Sequence, residues 1–166
     1  MKEIKLTKGK SCKVDDDDYD FLNQFGWCCW DDGSGYYYAH RWNPNGKVAI
    51  RMHRMLAAAG PDDFVDHADG DGLNNQRSNL RICTRSQNTV NSPARKGKRY
   101  SNYKGVSAVW NKNKTKKYWT AQSRKNGDLH HIGCFPDEVS AARAYDKKAK
   151  ELFGDFARLN FPEETI

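Results

Sequence analysis

Apolar residues in the first third of the chain come in short clusters separated by polar turns. Ile4–Leu6, Gly26–Trp30, Tyr36–Trp42 and Val48–Met52 are rich in aromatic or β-branched residues, and Asp31-Asp32-Gly33-Ser34-Gly35 and Asn43-Pro44-Asn45-Gly46 punctuate them. Clusters bounded in this way predict an antiparallel β region. His53–Ala59 predicts a short helix ended by Gly60 and Pro61, a glycine past the last turn followed by a helix-breaking proline.

The pattern changes after Ser92. Between Ser92 and Ser101 the chain carries Pro93, Gly97, Arg95, Lys96, Lys98 and Arg99, with only Ala94 and Tyr100 apolar, the composition of a linker or DNA-tracking segment. Beyond it, Tyr103–Trp110, Tyr118–Arg124 and Leu129–Phe135 alternate as three strands, and Asn126-Gly127 is a strong hairpin signal. From Glu138 to Phe153, Val139, Ala142, Tyr145, Ala149, Leu152 and Phe153 recur at spacings mostly of three or four. Asp137 is placed to cap the start of this amphipathic helix and Gly154 its end. The expected organisation is a domain over 1–92, a basic linker over 93–101 and a second domain over 102–166.

With 37% hydrophobic residues, either domain holds a modest core. Twenty-eight Lys and Arg against twenty-one Asp and Glu give a net charge of +7, which favours polyanionic partners without choosing among DNA, RNA and an acidic membrane surface. Asp15–Asp18 runs against this excess and is expected to cap or solvate a surface turn. Cys12, Cys28, Cys29, Cys83 and Cys134 are odd in number and contain no Cys-x-x-Cys pair, so they read as reduced thiols. No apolar run suits a membrane span or a signal peptide, and the expected location is the cytoplasm.

The densest polar stretch, from Val65 to Cys83, is crowded with Asp, Asn and Gly. It reads either as a solvated hairpin turn or as a site. A calcium loop of EF-hand type fails on spacing: from Asp69 the sixth position is Asn74 and the twelfth Leu80, and from Asp66 the third is Ala68. Thr84-Arg85-Ser86-Gln87 fits a capping box that starts a short helix before Pro93. The local order is therefore strand, loop, strand, helix. Asp66 and His67 close the first strand, Asn79 precedes the second and Asn88 opens the helix, a geometry that permits all four to meet without proving it. His53 and Arg54, in the preceding helix, read either as DNA or loop contacts or, more commonly for a histidine, as satisfied partly buried groups.

Asp66-His67-x-Asp69-Gly70, Asn75-x-Arg77-x-Asn79-Leu80-Arg81 and Asn88 resemble the ββα-metal motif of HNH homing endonucleases over about Val48 to Asn91. Ile4–Arg51 also resembles the N-terminal β region of phage and intron-encoded members. The resemblance implies a site-specific, metal-dependent DNA endonuclease. His67 would be the general base, Asp66 and Asn88 the ligands of one Mg²⁺, with Mn²⁺ as an alternative, and Asn79 would orient the hairpin or His67. Asn88 stands where the family name expects histidine, a substitution known among homing members.

Tyr103-Lys104-Gly105-Val106, Tyr118-Trp119-Thr120-Ala121-Gln122, Ile132-Gly133-Cys134-Phe135, Ala141-Ala142-Arg143-Ala144-Tyr145-Asp146 and Leu159-Asn160-Phe161-Pro162 resemble the AP2 domain, from about Asn102 to Pro162. The resemblance implies a three-stranded antiparallel sheet backed by one helix, with the sheet face entering the DNA major groove. It implies DNA-facing positions at Lys104, Ser107, Val109, Gln122, Arg124 and His131, with Ser107 and Val109 standing where the plant domains carry arginine. Trp119 reads as sheet-face packing or as a stacking group. Lys112, Lys114, Lys116 and Lys117, with Arg95, Lys96, Lys98 and Arg99 of the linker, are expected on the DNA backbone. The whole is expected to be α+β: an N-terminal antiparallel β region leading into a ββα-metal domain, then the AP2-like sheet and helix. The expected partner is double-stranded DNA, with no membrane and no small-molecule cofactor, in a monomer or homodimer. The rival reading is a non-enzymatic AP2-type regulator on a degenerate HNH scaffold.

Overall fold

A computed structural model describes residues 1–33, 35–94 and 101–162. The chain is α+β and divides into two units, Met1–Thr84 and Arg85–Ile166. Arg95, Lys96, Lys98 and Arg99 lie outside the described residues. Among the described residues no helix is long and apolar enough to cross a membrane, and all five cysteines are free thiols.

In the first unit, β1 (Lys2–Lys5) and β2 (Ser11–Val14) form an antiparallel hairpin with Ile4 opposite Cys12. Strand alternation sends Ile4, Cys12 and Val14 into the core and leaves the lysines in water. The acidic run does more than solvate a turn. Asp16, Asp17 and Asp18 are the first turn of α1 (Asp16–Leu22), where unpaired N–H groups and the helix dipole favour negative charge. Leu22 at the far end of α1 is fully buried.

β3 (Cys28–Asp31), β4 (Tyr37–Trp42) and β5 (Ala49–Arg51) form an antiparallel meander whose Cys29–Ala39 pair faces the core. The helix expected over His53–Ala59 is shorter: α2 spans Met52–Leu56. Ala58 has already turned left-handed (φ 50°), and the Gly60 carbonyl is engaged by Arg54, so the chain stops before its glycine. β6 (Phe64–His67) and β7 (Leu80–Cys83) then pair antiparallel, Asp66 opposite Arg81 and His67 opposite Leu80.

The second unit begins with α3 (Arg85–Asn91), separated from β7 along the chain by Thr84 alone. β8 (Val106–Trp110), β9 (Lys117–Lys125) and β10 (Asp128–Phe135) form one antiparallel sheet in the order β10-β9-β8. Asn126 (φ 53°) and Gly127 (φ 101°) supply the left-handed backbone of the tight turn between β9 and β10. α4 (Glu138–Phe153) covers the sheet, its first turn capped by the Asp137 carboxylate accepting from the Ser140 amide at 2.8 Å. Small residues set the spacing: Ala141, Ala142 and Ala149 of α4 meet Val106 and Ala121 of the sheet, and Tyr145 fills what remains. Asp146, also in the helix, is 5% exposed and bonds the amides of Asn160 and Phe161, while the Asn160 side chain bonds both the N–H and the C=O of Lys104. That lock ties the segment after α4 to the turn before β8.

Candidate active site and nucleic-acid face

The loop between β6 and β7 is held from outside as well as by its own turns. The Lys13 amide donates to Leu73 O and the Asn75 amide to Lys13 O, both at 2.8 Å, so the loop is stitched to the edge of β2. Arg77 reaches further. Its guanidinium grips both oxygens of Asp18 at 2.7 Å and the Leu56 carbonyl at 3.1 Å, joining α1, α2 and the loop. Asp15 accepts from the Arg77 amide and from Gln76, and these hydrogen bonds hold its carboxyl below the usual range. Gly72 has a packing reason to be glycine: a Cβ there would lie 2.4 Å from Tyr37 O and 2.7 Å from the Tyr38 ring.

Asn79 works inside the loop. Its carbonyl oxygen accepts from the Asp69 amide, and its NH₂ donates to the Asp69 carboxylate and to Asn74 O, all within 3.0 Å. These bonds brace the hairpin loop. The amide found beside His67 belongs to Asn75, whose Oδ1 is 3.4 Å from His67 Nε2 and whose side chain is completely buried. Asp66, 4% exposed, is ion-paired with Arg81 across the hairpin.

His67 is 6% exposed and packs edge-on to His53 of α2, ring centroids 5.1 Å apart, while Tyr38 of β4 touches both rings at 5.7 and 6.0 Å. Burial lowers the pKa of His67, so neutral imidazole is favoured. His53 is pushed further, to about 3, by burial and then by His67 and the arginines at positions 51 and 54. A buried base that stays neutral when folded but takes up a proton when unfolded makes folding acid-sensitive. The contribution of His53 is complete above the unfolded value near ~6.5 and is lost as pH falls, by about 1.4 kcal/mol per pH unit until ~3. Urea unfolding of the full chain at several pH values is expected to show that loss, and His53→Phe to flatten it; parallel slopes for the two proteins would contradict it.

The second unit presents a polar sheet face. Val106, Ala121 and Ser123 point to the α4 side, so Ser107, Val109, Gln122, Arg124 and His131 fall on the opposite face, with His131 opposite Gln122. Lys104 lies two residues before β8 rather than on it, because a left-handed Gly105 turns the chain first. Its ammonium donates to the carbonyls of Thr89 and Ser92 at the end of α3. Lys112, Lys114 and Lys116 are exposed in the turn between β8 and β9, which the Asn111 side chain ties through the Thr115 and Lys116 amides. Lys117 is already in β9 and lies 4.0 Å over the ring of Trp119, which packs on the α4-side core and so is not a stacking group of the outer face.

Residues 57–90 match the profile of a family described as HNH endonuclease. Over this segment the chain is similar to HNH endonucleases. An uncharacterised HNH endonuclease of Acanthamoeba polyphaga mimivirus is 37% identical over 67% of this chain and 57% of its own length. An AP2-like ethylene-responsive transcription factor of Arabidopsis thaliana is 32% identical over 49% of the chain and 21% of its own length. A dehydration-responsive element-binding protein of the same plant is 40% identical over 36% and 17%. The chain thus spans less than two thirds of each of these relatives, and an AP2-type domain accompanies the HNH segment. No solved structure matches it.

Within the HNH segment the structure brings Asp66, His67 and Asn79 together on one hairpin, while Asn88 falls in α3 of the second unit. Among the described residues no cluster of three or more His, Cys, Asp or Glu side chains is arranged to hold a metal. Three neighbours of His67, Tyr38, His53 and Asn75, were not singled out in sequence for this role. Asn75 carried only its place in Asn75-x-Arg77-x-Asn79, and His53 looked like an ordinary helix histidine.

Proposed function

We propose that the chain is a site-specific, metal-dependent DNA endonuclease of the homing or mobile-element type, which holds double-stranded DNA through its AP2-type sheet and cuts it with the HNH hairpin. The observation that carries this reading is the buried Asp66–His67 pair, with its imidazole kept neutral and its carboxylate matched by a cation. Hydrolysis of a phosphodiester needs a base for the attacking water and positive charge near the phosphate. A neutral imidazole is the form that accepts a proton. If His67 Nε2–H donates to Asn75 Oδ1, the lone pair of the neutral ring is on Nδ1.

The donor chemistry fits Mg²⁺. Asp66 offers carboxylate oxygen, which a bound cation would share with the Arg81 guanidinium on Oδ2, and the Asn88 amide offers a second hard oxygen. Bound there by Asp66 and Asn88, Mg²⁺ would supply charge stabilisation for the phosphate and the leaving oxygen. Asn79 keeps the loop closed around His67 through Asp69 and Asn74. On the DNA side, Gln122, Arg124 and His131 offer base-reading groups on one exposed face, and Lys112, Lys114 and Lys116 offer phosphate contacts, with Arg95, Lys96, Lys98 and Arg99 adding basic residues along the sequence. A division into 1–92, 93–101 and 102–166 assigns cutting, tracking and holding to successive segments. One active site per copy favours nicking, by a monomer or by each half of a homodimer.

A Mg²⁺ titration of cleavage tests the ligand assignment. Asp66→Ala is expected to raise the Mg²⁺ concentration needed for half-maximal cleavage at least tenfold, about the loss typical of a removed metal-site group, and Asn88→Ala to do the same. An unchanged midpoint in both variants would remove the metal from these residues.

A further inference from the structure

We propose that His53, in α2, is a positioning residue for His67: its ring sets the plane of the neighbouring imidazole. This role rests on the nuclease reading only for its consequence, not for its geometry. The terminal torsion of a histidine is broad and roughly two-fold, so its own rotamer preference does not fix the ring plane. Packing must do so. His67 meets the edge-on ring of His53 at 5.1 Å and an interplanar angle of 74°, Tyr38 at 6.0 Å, and the Asn75 amide at Nε2.

His53 is itself held by independent anchors. Met52 beside it is fully buried, Arg54 donates to the carbonyls of Gly60 and Asp63, and Arg77 donates to Leu56 O at the end of the helix. Every turn of α2 is therefore tied to the segment that leads into β6 or to the loop that leaves it. His53 is 6% exposed, yet its Nδ1 has no hydrogen-bond partner among the described residues, and neither does the buried Nδ2 of Asn75. An unpaired buried ring nitrogen costs stability, and an apolar residue of similar volume would avoid that cost. At Nδ1 the His53 ring thus contributes packing rather than a hydrogen bond, and the ring remains neutral there, so it adds no repelling charge when His67 takes up a proton.

The test reads His67 directly. Long-range ¹H–¹⁵N correlations of the histidine side chains in the full chain are expected to show one dominant tautomer at His67, and His53→Ala is expected to shift and broaden that signal. His53→Phe, which keeps a ring against His67, is expected to restore it. If His53→Ala does not fold, Tyr38→Leu removes the other ring wall and is expected to broaden the same signal. In the cleavage assay His53→Ala is expected to lower kcat about tenfold or more with KM within about twofold, since misplacing a base costs rate rather than binding, and His53→Phe to recover most of it. An unaltered His67 signal in His53→Ala, or in Tyr38→Leu where His53→Ala does not fold, overturns the positioning role. So does an equal loss in the Ala and Phe variants. Absence of cleavage by the wild-type protein would contradict the nuclease reading instead, and the spectra would still decide the positioning role.

Discussion

Gly105→Ala is expected to lower the melting transition of the second unit by ten degrees or more. Two costs add at this position. The backbone is left-handed, with φ +72°, and a Cβ would stand 2.0 Å from the ring of Tyr145. The first cost is about 1–2 kcal/mol and overpacking a filled core adds about 1–3 kcal/mol. For a unit of this size each kcal/mol moves the midpoint by roughly 4–8 °C. Tyr145 has no room to withdraw, since it is 2% exposed between Ala141, Ala142, Ala149 and the sheet. Gly154→Ala is the control, because Gly154 also has a positive φ, +56°, but nothing lies within 4 Å of its added Cβ. It is expected to cost only the backbone part. Equal melting of the two variants would show that the close approach to Tyr145 does not matter.

His67→Ala is expected to reduce DNA cleavage at least about a thousandfold while leaving DNA affinity and its salt dependence unchanged. General-base catalysis contributes about 10²–10⁴ in rate, and His67 is the one imidazole carried by the hairpin. Asp66 is ion-paired and Asp69 is bound by Asn74, Asn79 and the Asp71 amide, so neither is free to replace the imidazole. On the proposed reading DNA affinity comes from the sheet face and lysine turn of the second unit, to which His67 does not belong. Filter binding at two salt concentrations beside a cleavage time course checks both halves. A matching loss of affinity would make His67 a binding residue, and residual cleavage within tenfold of wild type would remove it from the chemistry.

What was legible in the sequence tracks how local the governing physics is. α4 runs over the residues anticipated because its periodicity and both ends are written within the segment: Asp137 caps, Gly154 terminates and the apolar stripe fills one face. The Asn126-Gly127 turn follows equally from two adjacent residues whose backbones tolerate positive φ. β2 and α1 were harder. Ser11–Val14 is short with a mixed composition, and the acidic residues of α1 gain their meaning from helix-terminal N–H groups and from Arg77, fifty-nine positions beyond Asp18.

The site divides in the same way. Asp66, His67 and Asn79 could be placed on one hairpin from the strand-loop-strand order, while the roles expected of them came from the family resemblance. The surroundings of His67 could not. Tyr38, His53 and Asn75 come from β4, α2 and the loop, and only tertiary packing brings the three rings and the amide together. Lys104 shows the same limit. A position named by resemblance as DNA-facing is held by Asn160 at its backbone and by α3 carbonyls at its ammonium, so tertiary bonding decides what it offers.

The most direct measurement is incubation of supercoiled DNA with the purified full chain, with Mg²⁺ and with EDTA, followed by separation of nicked, linear and supercoiled forms. The expected result is a fixed nicked or linear product that appears with Mg²⁺ and vanishes with EDTA. Tight, salt-sensitive binding to the same DNA with no cleavage under Mg²⁺ or Mn²⁺ would contradict the nuclease reading and leave an AP2-type DNA-binding protein on an HNH scaffold.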